Sequence, residues 1–213
     1  SWVETAPRRG RGEGVARFVA LVRGINVGRA KRVAMSDLRR LLQDLDYAEV
    51  RTILNSGNVV FSGGRMRTGA VAKRIEAGLS ERLGVSARVV VLTAEEFATV
   101  VGENGLGSRA DRPERLLVAF CDDASRLAEL SPLGKRDWGP EGLALGQRAA
   151  YLWCADGILA SPLAEAVGRV LRDSTTARNW ATVLKIQALL EPGSASEARG
   201  RRGLGGRRHV RGR

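Results

Sequence analysis

Apolar residues fall along this chain in two rhythms. Phe18-Val19-Ala20-Leu21-Val22 is unbroken and closes on Gly24, which suits a strand buried on both faces. Ser36 is a capping hydroxyl and Asp37 a first-turn carboxylate. Leucines at 38, 41, 42 and 45 then predict a helix over 37–46 with one buried stripe. Val50 to Leu54 and Val59 to Phe61 read as strands. Asn55-Ser56-Gly57-Asn58 between them reads as a hairpin turn, because Gly and Asn tolerate positive φ. Thr68 is a candidate cap for the next helix, whose Val71, Ile75, Leu79 and Leu83 share one face up to a stop at Gly84. Arg88 to Leu92 is a fourth strand. Strand, helix, strand, strand, helix, strand is the ferredoxin-like split order.

Thr93-Ala94-Glu95-Glu96 has the form of a capping box, so a short helix is expected to run to about Val101. Gly102 to Pro113 is polar and Gly-rich and marks a boundary. Beyond it the order recurs. Leu116 to Cys121 is a strand, and Asp122 or Asp123 caps a short helix ending near Leu130. Residues 131–140 form a loop, and Leu143 to Gln147 and Tyr151 to Cys154 a strand pair. Ser161-Pro162 starts a helix with Leu163, Val167, Val170 and Leu171 inward. Ser174 to Ala177 is a short extended segment. A last helix from Asn179 turns Trp180, Val183, Leu184 and Leu190 inward and stops at Pro192-Gly193. The expected fold is α+β: two ferredoxin-like βαββαβ sandwiches in tandem, at 17–101 and 114–192. A disordered arm at 1–16 and a disordered Arg/Gly tail at 193–213 flank them.

Charge changes the picture only in part. The formal net charge is +12, but 193–213 holds seven arginines against one glutamate, so about half of it sits on the tail. Arginine outnumbers lysine 31 to 4 amid abundant Ala and Gly, a pattern that also follows from genome composition. No run approaches the roughly 18 apolar residues of a membrane span, and no charged-then-apolar leader opens the chain. The expectation is a cytoplasmic protein away from membranes. Cys121 and Cys154 lie in apolar strands as small buried thiols. Two cysteines and one histidine cannot make a four-ligand Cys/His zinc site, and nothing calls for a cofactor.

Candidate chemistry gathers at two places. The first and second strands run parallel in this topology, so Arg23-Gly24-Ile25-Asn26-Val27-Gly28 and Asn55-Ser56-Gly57-Asn58 should meet at one sheet edge. Gly admits close backbone approach, Asn offers donor and acceptor, and Arg29, Lys31 and Arg32 add charge: a possible anion cradle. Gly24 and Gly28 match neither a phosphate-binding loop nor a dinucleotide fingerprint. The second place is Asp173 to Trp180, where hydroxyls and Arg178 precede a helix N-terminus. Both stretches read equally as tight connections and a helix cap. The single histidine, His209, is in the tail, so no histidine-based acid–base pair fits the fold.

Arg23 to Gly28, Met35-Ser36-Asp37-Leu38-Arg39, Ser56 to Phe61 and Thr176 to Val183 occur in an order that resembles the bacterial family called domain of unknown function 1697. Arg29 stands where that family usually has Gly, Ala34 where it has Pro, and Ala181 where it has Asn. The resemblance implies a two-part α+β protein of ferredoxin-like character and no established activity. The expected role is binding a small phosphate-bearing anion through Arg23, Asn26, Lys31, Ser56, Asn58, Arg178 and Asn179. The alternatives are sequence-independent nucleic-acid binding helped by the tail, and an enzyme acting on a phosphorylated or carboxylated small molecule.

Overall fold

The computed structural model describes residues 14–26, 32–109 and 111–191. Residues 1–13 of the expected arm, Lys31 and the expected tail at 193–213 lie outside them. In chain order the elements are β1 (Ala16–Val22), α1 (Met35–Asp44), β2 (Ala48–Ile53), β3 (Asn58–Gly63), α2 (Thr68–Leu83), β4 (Val89–Thr93) and α3 (Ala94–Gly102). There follow β5 (Leu116–Cys121), α4 (Ser131–Gly134), β6 (Gly142–Leu145), β7 (Ala149–Trp153), α5 (Pro162–Leu171), β8 (Thr175–Asn179) and α6 (Trp180–Leu190). Among the described residues no helix is long and apolar enough to cross a membrane.

Local chemistry explains most of these boundaries. The capping box before α3 is formed: Glu96 N–H donates to Thr93 Oγ1 (3.1 Å) and Thr93 N–H to Glu96 Oε2 (2.9 Å). Gly84 ends α2 in the left-handed region at φ 62°, where a Cβ is unwelcome. Two starts differ from expectation. Helix α1 begins at Met35 with Ala34 at the cap, so Ser36 lies inside the first turn; α2 begins at Thr68 itself. Strand β1 begins at Ala16, inside the expected arm, because its pairing with β3 continues to Gly63.

The strands form two four-stranded antiparallel sheets, ordered β2-β3-β1-β4 and β6-β7-β5-β8. Since β1 and β2 each run antiparallel to β3, they run parallel to one another, and their C-terminal ends share an edge. The outer face of the first sheet packs Phe18, Ala20 and Val22 against α1 and α2. The outer face of the second packs Ala119, Cys121 and Leu152 against α5. Both inner faces enter one cluster: Val19 and Leu21, Val118 and Phe120, with Phe97 and Val100 of α3 and Val183 and Ile186 of α6 between. Phe97 stacks on Phe120 with ring centroids 5.7 Å apart. The halves therefore share an apolar interior.

Helix α6 is turned differently from the expected stripe. Leu184 is 44% exposed and Ile186 is fully buried. The helix is apolar around most of its girth, so periodicity alone does not choose its inward side; packing between two sheets does. Cys121 and Cys154 are buried free thiols, and burial pushes Cys121 up to about 11.

Candidate functional site

Strand β1 ends where two turns meet. Val22 N–H donates to the Gly57 carbonyl (2.9 Å), which fastens the hairpin turn to the strand end. The Asn26 carboxamide donates to the carbonyls of Val33 and Asn55, both at 2.8 Å, and accepts from Val33 N–H at 2.8 Å. One side chain thus holds the segment after β1 to the turn after β2. Gly57 sits at φ +75°, and an added Cβ would lie 2.9 Å from Val22 Cβ and from Ile25 Cδ1. Gly57→Ala is expected to cost about 1–3 kcal/mol, measured by urea unfolding. An unchanged midpoint would mean the turn is free to move off β1.

Arg178 lies under these turns. It is on the inner face of β8, opposite Val118, and is 9% exposed. A guanidinium has five N–H donors, and all five are taken. Nε donates to Asn58 Oδ1; Nη1 to Thr176 Oγ1 (2.9 Å) and the Ala177 carbonyl (2.7 Å); Nη2 to the carbonyls of Val22 (2.9 Å) and Ser56 (3.0 Å). Every acceptor is neutral. Burial lowers the guanidinium to about 10, and it remains a cation at neutral pH. Asn58 is fully buried, and its amide nitrogen donates to the Ile53 carbonyl (3.0 Å) and Ser56 Oγ (2.9 Å). A strand of the second half is thereby pinned to the end of β1 and to the turn after β2.

Five of the seven sequence-predicted residues come together here: Arg23, Asn26, Ser56, Asn58 and Arg178. Asn179 caps α6 instead, its Oδ1 accepting from Thr182 N–H (3.0 Å) and Thr182 Oγ1 (2.8 Å). Lys31 lies outside the described residues. Arg23 stands at the rim with its side chain 35% exposed, beside Asp173 at 3.1 Å and donating to the Arg172 carbonyl.

Across residues 15–151 the chain matches the model of a family described as a protein of unknown function, DUF1697. The chain belongs to that family. No curated protein matches it. A solved structure, the conserved bacterial protein SP0830 from Streptococcus pneumoniae, is similar at TM-score 0.66 and 22% identity, covering 84% of this chain and 100% of that one. That likeness is one of fold. The family match ends at Tyr151, before β8, so the guanidinium that pins the halves of this DUF1697 chain lies beyond the matched residues.

Sequence reasoning missed part of the rim of this DUF1697 site. Arg88, with Glu76 at 3.7 Å and Asp122 at 3.8 Å, neighbours Arg23 through the bond from Arg23 N–H to the Arg88 carbonyl (2.9 Å). Arg172 adopts φ 48° at the same edge. Gly24, Asn26, Leu54 and Gly57 also have positive φ, so five such residues border one place. For Leu54, bulky and half exposed, this is a strained conformation. Only the Gly and Asn members carry a sequence signal for it.

Proposed function

We propose that this chain binds a small phosphate-bearing anion at the rim above Arg178. The observation that carries the reading is the buried guanidinium without a carboxylate beside it, ringed by strained turns and by Arg23, Arg88 and Arg172. The acidic groups near that rim, Glu76, Asp122 and Asp173, are outnumbered by Arg23, Arg88, Arg172 and Arg178. Uncompensated positive charge in a low-dielectric setting favours anions. The site divides its labour in this reading. Arg178, Asn58 and Asn26 have their hydrogen-bonding groups engaged by the protein and hold the turns in place. Arg23 and the Ser56 hydroxyl meet the ligand, with Lys31 adding charge.

We further infer that each half, 17–101 and 114–192, is a ferredoxin-like sandwich. The two matching strand orders support this. Base stacking on a sheet is the less favoured role, because both inner faces are covered by α3 and α6 and both outer faces by helices.

The test is a thermal-shift titration of the full chain with inorganic phosphate, pyrophosphate and a nucleoside monophosphate. At least one is expected to raise Tm, by mass action on the folded state. Arg23→Ala, a half-exposed change, is expected to fold and to lose that gain. If none of the three anions raises the Tm of the wild-type chain, the reading fails.

A further inference from the structure

The guanidinium at the rim already has acceptors of its own. Arg23 Nη1 lies 3.1 Å from Asp173 Oδ1 and donates to the Arg172 carbonyl. Both acceptors come from the corner at 172–174 that joins α5 to β8.

That corner is anchored at its two ends. Leu171 and Ser174 bracket it and are buried. Ser174 Oγ donates to the Leu171 carbonyl (2.6 Å) and accepts from Arg126 Nη1 (2.8 Å). The Ser174 carbonyl accepts from Asp122 N–H (3.0 Å). Between the anchors Arg172 stands at φ 48° and ψ −121°, a conformation that side chains avoid. Asp173 projects from there with its side chain 87% exposed. Its carboxylate is free to turn into water while α5 and β8 keep their places.

The other rim cations are held differently. Arg178 uses all five donors on neutral acceptors. Arg88 lies between two carboxylates, Glu76 and Asp122, whose side chains are far less exposed than that of Asp173. Among the described rim arginines, only Arg23 is held by a single, well-exposed carboxylate.

We propose that Asp173 is a latch on the anion rim, an inference that rests on the rim being an anion site: it occupies Arg23 in the free protein and gives way when a phosphate-bearing anion binds. Carboxylate and ligand compete for one guanidinium. The apparent affinity is then reduced by the fraction of chains in which Arg23 is free. Exposed ion pairs hold weakly, so the reduction is roughly threefold. A carboxylate that leaves weakens every anion by the same factor. One that stays, and only lowers the local potential, penalises each anion in proportion to its charge.

The experiment is a calorimetric titration of the full chain with inorganic phosphate and with pyrophosphate, wild type against Asp173→Asn. The variant is expected to bind both anions roughly threefold more tightly, by one common factor. Adding Arg23→Ala is expected to abolish binding whichever residue stands at 173. Unchanged or weaker binding by Asp173→Asn would make Asp173 a support for Arg23; it overturns the latch and leaves the anion rim standing. A gain clearly larger for pyrophosphate overturns the latch in the same way, and so does binding by Asp173→Asn that survives Arg23→Ala. If neither anion binds either the wild type or Asp173→Asn, the rim and the latch fall together.

Discussion

Replacing Arg178 with alanine is expected to lower the free energy of unfolding by about 3–5 kcal/mol. For a chain of this size that is a fall in Tm of roughly 10 °C or more. The reason is the number of acceptors stranded at once: Asn58 Oδ1, Thr176 Oγ1 and the carbonyls of Ala177, Val22 and Ser56. Two of these belong to the turn after β2 that borders the rim at Arg23. Lysine at the same position keeps the charge but has three donors and no planar fork, so Arg178→Lys should recover less than half of the loss. Denaturant unfolding of the three proteins decides it. A lysine variant as stable as wild type would show that charge, and not the five-way geometry, holds the sheets together.

The second large effect is expected from Phe97→Ala. Phe97 is fully buried in α3 and stacks on Phe120 of β5, so its loss empties space shared by both sheets. The expected cost is about 3–5 kcal/mol. Its signature is as informative as its size. Trp138, Trp153 and Trp180 lie after the Gly-rich boundary, whereas Phe97 lies before it. Fluorescence and far-UV signals should therefore shift together to lower denaturant, as one transition. A mutant whose tryptophan signal melts at the wild-type midpoint would mean that the halves unfold separately.

The first half was readable because each of its elements buries what it displays. The unbroken run at 18–22, the leucines of α1 and the Thr93 capping box all state their roles in the residues themselves. The meeting of the two turns also followed from pattern, since strand order alone brings 23–26 to 55–58. Strand β8 was harder to read. Thr175-Thr176-Ala177-Arg178-Asn179 shows no apolar alternation, because the side chains it turns inward are Thr176 and Arg178. A strand that buries polar groups looks like a loop until its partners are known. For the same reason the chain does not distinguish an arginine serving backbone carbonyls from one awaiting a ligand. Arg88 and Arg172 at the rim, and Arg17 at the end of α6, are unremarkable in one dimension; only the fold gives them neighbours.

The position of α6 bears on how the chain is made. Translation delivers the first sheet early, with Val19, Leu21 and Leu92 facing water on the side where α6 will later pack. Arg17, among the earliest described residues, has its carbonyl acceptors at positions 189 to 191. A ribosome must therefore finish nearly the whole described chain before the oldest strand gains the part of its cover that α3 does not supply. Nascent chains stalled before residue 180 should be sticky, protease-sensitive and dependent on chaperones, whereas release of the full product should end that vulnerability in one step.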